Sequence, residues 1–193
     1  AFDERFSPAN FEDDDLSMRI LQAGYRLIMC KDTFIHHFGS KSFAGDYQRF
    51  NNLMLENLKK FVAKWGFNPS YSFFKRLELV GQIKREKNDP IRVLEVGCAC
   101  GATLLYIKHL YPNAELYGME INDKAAAIAG TFAHVLSGDC EGDGVSFEEN
   151  FFDYIIMGDV LEHLKDPWSF VAKCKTLLKE GGYAISSIPN VMH

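Results

Sequence analysis

Three carboxylates and one histidine stand at spacings suited to a nucleotide-sized ligand. Glu95 lies in the run Val93-Leu94-Glu95-Val96-Gly97-Cys98-Ala99-Cys100-Gly101, where a hydrophobic stretch meets an acid and then a glycine-bearing turn. A chain that leaves a buried strand and enters a helix needs small residues at the turn if a ligand is to touch the backbone. Gly97 and Gly101 supply them. The turn is no phosphate loop, because Ala102 and Thr103 follow Gly101 where a Lys and a Ser or Thr would stand, and Ala99 replaces the middle glycine of a dinucleotide fingerprint. Glu120, about twenty residues beyond the turn, ends a second apolar run at the place where an acid of nucleotide-binding folds accepts the ribose hydroxyl protons. Asp139 follows a third run in Ser137-Gly138-Asp139-Cys140. His163, in Gly158-Asp159-Val160-Leu161-Glu162-His163-Leu164, titrates near neutrality in its unperturbed form and is a candidate base toward an acceptor hydroxyl.

These residues need a scaffold that brings the ends of several strands together. From Ile91 onward the pattern alternates, with strands expected near 91–96, 115–119, 133–136, 153–157 and 182–188 and helices near 101–111, 123–130, 143–149 and 166–179. That alternation predicts an α/β fold, a Rossmann-like parallel sheet with helices on both faces. The sequence changes character near residue 67. Before it, acidic residues 11–16 open a helix that runs to about Ala23 and stops at Gly24, a short strand spans 26–29, and a polar loop covers 40–46. Apolar residues Phe50, Leu53, Leu55, Leu58, Phe61, Val62 and Trp65 then recur at mostly helical spacing up to Gly66. Residues 67–90 read as a linker with a docking helix over 71–83, followed by the charged run 84–89. The expected organisation is therefore 1–66, 67–90 and 91–193.

The composition, 47% hydrophobic and 24% charged over 193 residues, is that of a globular chain able to build a core. A formal net charge of −5 with no basic stripe argues against a nucleic-acid partner. Five cysteines, an odd number without CxxC spacing, argue against a disulfide framework or a structural zinc site and suit a reducing cytoplasm. No apolar run approaches the roughly 20 residues that span a bilayer, so a cytoplasmic location is expected, with peripheral attachment to a membrane left open.

Taken in order, Glu95 to Gly101, Glu120, Asp139, Asp159 to Leu164 and the turn Leu177-Leu178-Lys179-Glu180-Gly181-Gly182 resemble the motifs of class I S-adenosylmethionine-dependent methyltransferases. The resemblance covers about 91–193 and implies S-adenosylmethionine as cofactor. It implies that Glu95, Gly97, Cys98, Ala99, Gly101, Glu120, Ile121, Asp139, Cys140 and Asp159 contact that cofactor. Within it, Glu95 and the turn serve the amino acid portion, Glu120 the ribose and Asp139 the adenine. Ala99 departs from the commonest pattern and adds a methyl group near the ligand.

Plainer roles stand beside these. Glu95 could cap the following helix, and Cys98 and Cys100 could fill the turn or act in redox or metal chemistry. Asp159 and Glu162 could pair on a metal or mark a helix start, and His163 could pack or cap.

Residues 1–66 resemble a second family. Phe11-Glu12-Asp13-Asp14-Asp15-Leu16 with Arg19, Ala23-Gly24-Tyr25-Arg26-Leu27 and His36-His37-Phe38-Gly39-Ser40-Lys41-Ser42 are similar to the acceptor-side end of an inverting family-two glycosyltransferase with the A-type fold. The resemblance implies Asp13 as the base and His36 or His37 as a contact for a divalent metal and nucleotide diphosphate. That family's Asp-x-Asp motif would precede Ala1, and the methyltransferase sheet continues with a hairpin after strand five. The chain is therefore expected to be a piece of a bifunctional fusion: a mostly helical partial glycosyltransferase segment followed by an incomplete class I methyltransferase fold. An open sheet edge is expected to invite pairing with another copy. O-methylation of a sugar or glycan in surface polysaccharide biosynthesis is the expected function. Glycosyl transfer from a nucleotide sugar and a non-catalytic cofactor-binding role are the alternatives.

Overall fold

The computed structural model describes residues 1–28, 30–36, 45–142 and 147–190. They fall into two compact units, Ala1–Asn68 and Pro69–His193. Among the described residues no helix is long and apolar enough to cross a membrane.

In the first unit a single 3-10 turn, Glu4–Phe6, precedes helices α1 (Glu12–Gln22) and α2 (Tyr47–Trp65). Four acids, Glu12 to Asp15, occupy the first turn of α1, where the helix N-terminus favours negative charge. Asp46 starts α2 by accepting the Arg49 N–H at 3.0 Å, and Gly66, at a φ of 78°, ends it. Phe6, Met18, Phe61, Trp65 and Phe67 form the core of this unit. The ring of Phe61 lies 5.4 Å from that of Phe11 and 6.0 Å from that of Phe67. Asp15 is buried among these rings at 0% exposure, and it is held by Trp65 Nε1 at 3.0 Å, Arg19 Nε at 2.8 Å and the Lys64 ammonium. Residues 25–28 are not paired into a ladder, so the strand expected there is absent over those positions; Met29 lies outside the described residues.

In the second unit two one-turn helices, α3 (Pro69–Ser72) and α4 (Leu77–Val80), precede the alternation β1 (Arg92–Val96), α5 (Ala102–Leu110), β2 (Glu115–Glu120), α6 (Asp123–Ala129), β3 (His134–Ser137), β4 (Phe152–Gly158), α7 (Pro167–Leu177) and β5 (Leu178–Ser187). The five strands are parallel in the order β3-β2-β1-β4-β5. Period-2 alternation divides the core between the two faces of the sheet. Val93, Tyr154 and Ile156 join Leu104, Ile107 and Ala129 on one face, while Leu94, Val96, Ile155 and Met157 join Phe170, Cys174 and Leu177 on the other. The central strands β1 and β4 are buried on both sides, which accounts for their near-continuous apolar runs. Chain order reverses between β1 and β4, and such a switch point opens a crevice at the carboxyl ends of the strands.

Four further expectations need correction. The segment 67–90 is no free linker: the unit boundary falls after Asn68, and Leu79, Val80 and Ile83 sit in the sheet's core. Fully burying such a side chain stabilises a fold by about 1.5–3 kcal/mol, so these residues belong to the domain that begins at Pro69. The helix expected over 71–83 is two separate turns, because the Arg76 N–H is drawn to the Thr103 hydroxyl at 3.2 Å. Residues 147–150 are not helical, and the rest of the helix expected near 143–149 lies outside the described residues. The turn expected at 177–182 is taken into an early, irregular start of β5, with a register shift and Gly181 at a φ of 74°.

Candidate functional site

The strand ends position the predicted carboxylates. After β1 the chain doubles back: Gly97 at a φ of 68°, Ala99 at 48° and Gly101 at 78° are all left-handed, and Gly101 then serves as the N-cap of α5. Gly97 and Cys98 both donate N–H groups to the Met119 carbonyl, at 2.8 and 3.1 Å, which fastens the turn to the end of β2. A side chain at Gly97 would come within 3.0 Å of Val160, and one at Gly118 within 2.6 Å of the Cys98 sulfur. Gly97 thus suits a left-handed turn with little room toward Val160, and Gly118 leaves the space that the Cys98 side chain fills.

Glu120 stands beside this turn. Its Oε2 accepts the Ala99 N–H at 2.8 Å and its Oε1 the Asn122 N–H at 2.8 Å. Each carboxylate oxygen has two acceptor sites, so two protein donors fix the group and leave one acceptor site on each oxygen. Asp139 is organised in a similar way, its Oδ1 accepting the Glu141 N–H at 2.9 Å.

A cavity of about 480 Å³ opens at these strand ends. Of the predicted residues, Gly97, Glu120, Ile121, Asp139, Cys140, Asp159 and His163 line it, together with Tyr71, Val96, Met119, Val160 and Leu164. Glu95, Cys98, Ala99 and Gly101 do not line it. Glu95 is 4% exposed and lies beneath the turn, where hydrogen bonding from the Thr103 side chain and the Leu104 N–H favours its ionised form. Its Oε2 has no hydrogen-bond partner, and burial, opposed by those bonds and by Arg76, pushes the carboxyl up to about 8. Cys98 and Cys100 are buried, and burial pushes both thiols up, Cys100 to about 12, so they fill the turn as thiols without thiolate reactivity.

Asp159, left-handed at a φ of 52°, is tied on both oxygens: the Ser187 hydroxyl donates to Oδ1 at 2.7 Å and Arg76 pairs with Oδ2 at 2.6 Å. The Ser187 hydrogen bond and the Arg76 guanidinium outweigh burial and hold its carboxyl below the ordinary aspartate range. Asp159 therefore shapes the cavity wall as a fixed anion. Arg76 reaches it by crossing Gly158, where a Cβ would meet the arginine side chain at 3.0 to 3.2 Å. Nothing local in the sequence marks Arg76 for this role, and it was not among the expected site residues. The His163 side chain is 74% exposed, and its Nε2 lies 3.9 Å from a Glu162 carboxylate oxygen.

In the first unit, Asp13 is exposed near the start of α1, and its Oδ1 accepts the Asp14 N–H at 3.0 Å. His36 is exposed with the Phe34 ring at 6.5 Å, and His37 lies outside the described residues. Among the described residues no group of three His, Cys, Asp or Glu side chains could hold a metal ion.

Comparison with known proteins agrees with this geometry. A family described as methyltransferase domain matches residues 54–193. The chain is 27% identical over 151 residues to a ubiquinone biosynthesis O-methyltransferase of Rhizobium etli, covering 72% of this chain and 60% of that protein. It is 30% identical over 117 residues to a malonyl-[acyl-carrier protein] O-methyltransferase of Bacillus cytotoxicus, covering 58% of this chain and 41% of the relative. The chain thus spans at most about three fifths of the length of these relatives. In fold it is similar to phosphoethanolamine N-methyltransferase 2 of Haemonchus contortus, solved with S-adenosylhomocysteine, with a TM-score of 0.51 and 21% identity over 58% of this chain and 27% of that one. It is also similar to a Haloferax volcanii complex of a methyltransferase with its Trm112 activator, with a TM-score of 0.55 and 13% identity over 68% and 58%. The family match extends across the whole sheet and every residue lining the cavity, and by it the chain belongs to the methyltransferase domain family.

Proposed function

We propose that the cavity binds S-adenosylmethionine and that the parent protein transfers its methyl group to a hydroxyl of a small molecule. The observation that carries this reading is Glu120, whose two oxygens are each fixed by one backbone N–H and each retain an acceptor site for a ribose hydroxyl. The ligand's size fits the cavity of about 480 Å³, and Gly97, where an added Cβ would come within 3.0 Å of Val160, leaves backbone in place of side chain beneath the amino acid portion. When bound, the cofactor supplies a sulfonium-activated methyl with a good leaving group, so alignment accounts for most of the catalysis. Glu120 orients the ribose, Asp139 the adenine, and Asp159 holds the wall opposite. In this reading His163 takes the proton of an unactivated hydroxyl, which its exposure and its position in the cavity lining support.

Titration with S-adenosylhomocysteine tests this. Hydrogen bonds to a charged acceptor contribute about 1.5–3 kcal/mol each, so Glu120→Ala should weaken binding by about 100-fold or more. Unchanged affinity would overturn the ribose contact.

The names of the relatives support an oxygen acceptor, and the glycosyltransferase resemblance of residues 1–66, with Asp13 exposed as a base must be, supports a sugar or glycan. Methylation assays of the parent protein with nucleotide sugars and with phenols distinguish the two acceptors. If single-turnover assays produce no methylated product in either arm while the cofactor binds, the non-catalytic alternative stands.

A further inference from the structure

A carboxylate outside the predicted set ties two walls of the cavity together. Glu141, in the turn after β3, accepts the Lys165 N–H on Oε2 at 3.0 Å and the Asp166 N–H on Oε1 at 2.8 Å. Both donors stand immediately before α7. Asp166 caps that helix through the Ser169 N–H at 3.1 Å and the Ser169 hydroxyl at 2.5 Å, so Glu141 is fastened to a rigid helix start. On its own side the Glu141 N–H is held by Asp139 at 2.9 Å, and the Gly142 N–H donates to the Asp139 carbonyl at 2.9 Å.

Behind the tie lies a second hollow of about 280 Å³, lined by Cys140, Glu141, Asp166, Ser169, Phe170 and Lys173. Cys140 and Glu141 line both this hollow and the larger cavity. The Glu141 side chain and its two hydrogen bonds thus form part of the partition between the two spaces.

We propose that Glu141 is a specificity-determining residue: its bridge to Lys165 and Asp166 closes the nucleoside end of the cavity, admitting an unsubstituted adenine and excluding one with a bulky group on its 6-amino nitrogen. The inference rests on the cofactor reading above, in which the adenine lies at Asp139. Each bridging bond joins a charged acceptor to a backbone donor, the stronger class of hydrogen bond, and removing the carboxylate cuts both at once. The hollow behind then becomes continuous with the cavity and can receive the added substituent.

The test compares S-adenosylhomocysteine with its N6-benzyl derivative, each titrated into the full chain as wild type, Glu141→Ala and Glu141→Gln. The wild type should strongly prefer the unsubstituted ligand. Glu141→Ala should narrow that preference by about tenfold or more, equivalent to about 1.4 kcal/mol. Glu141→Gln keeps the side-chain volume and one carbonyl acceptor, so its preference should fall between the two. Hydrogen exchange at the Lys165 and Asp166 amides should speed up in the alanine variant, reporting that the bridge is cut. If those amides are released while the ligand preference stays as in the wild type, the proposal is overturned. The same holds for the glutamine variant if the alanine variant fails to fold. If the wild type does not bind S-adenosylhomocysteine, the cofactor reading itself falls, and this inference with it.

Discussion

Replacing Glu95 by glutamine should stabilise the second unit increasingly as pH rises. The carboxyl is buried beneath the glycine turn with one oxygen unpartnered, and burial raises it from the ordinary 4.5 to about 8. Its folded-state value lies above its unfolded value, so the folded chain holds this proton more tightly. The stability it contributes is fully present below the ordinary value, declines through the window between the two, and is lost above the raised one. Within that window the slope is about 1.4 kcal/mol per pH unit, and across all of it the loss amounts to about 5 kcal/mol. At pH 7 the wild type should already have lost about 3 kcal/mol, against a typical total domain stability of about 5–15 kcal/mol. Glutamine resembles the neutral acid in shape, can still accept from Thr103 and Leu104, and does not ionise. Urea denaturation of both proteins between about pH 5 and pH 8 provides the measurement. Groups titrating alike in the two proteins cancel in the difference, which should grow in favour of Glu95→Gln by about 1.4 kcal/mol per unit. A difference that stays flat across the range would refute the reasoning, and one that grows in favour of the wild type would mean that the ionised carboxylate is the stabilised form.

Asp15→Asn should destabilise the first unit by about 3 kcal/mol near neutrality, because breaking one side of a buried ion pair strands its partners. Burial opposes ionisation of Asp15, but hydrogen bonds from Lys64, Arg19 and Trp65 prevail and lower its pKa. The stability it contributes is therefore present above the ordinary aspartate value of 3.8 and lost as pH falls through the depressed one, and acid titration of the wild type and the variant checks this sign. Gly118→Ala places a methyl 2.6 Å from the Cys98 sulfur and should cost about 1–3 kcal/mol. In a double-mutant cycle Cys98→Ala should recover about 1 kcal/mol of that loss, and strictly additive unfolding energies would show that the sulfur is not the obstacle. Arg76→Met should raise the pKa of Asp159, as followed by carboxyl carbon resonances in an NMR titration; an unmoved titration would mean that Ser187 alone holds it down.

The strand and helix alternation from Ile91 onward was legible because both periods, 2 and 3.6, are local patterns. The five strands follow it to within a few residues, except for the early start of β5. That Gly97, Glu120 and Asp139 line the cavity was legible because they stand where strands end, a place fixed by the same pattern. Arg76 and Glu141 were not legible. Each acts on a partner brought near only by folding, Asp159 for the one and the Lys165 and Asp166 amides for the other. Glu95 was visible as an acid, with a place at the start of the following helix as its plainer role, but its separation from the cavity was not, since that depends on how the turn folds over it. In the helix expected over 71–83, local periodicity lost to a tertiary hydrogen bond with Thr103.

The route of Arg76 across Gly158 sets a rule for dissecting this protein. A piece begun at Ile91 would include every strand and look complete on a topology diagram. It would lack Leu79, Val80 and Ile83 from one face of the sheet, and Asp159 would lose the cation that holds one of its oxygens. Damage made within 69–90 would thus surface at the tip of β4, in the wall of the cavity. A piece that keeps this core and the Arg76–Asp159 pair intact should start no later than Pro69, and deletions within 69–90 should be judged as lesions of the cavity wall itself.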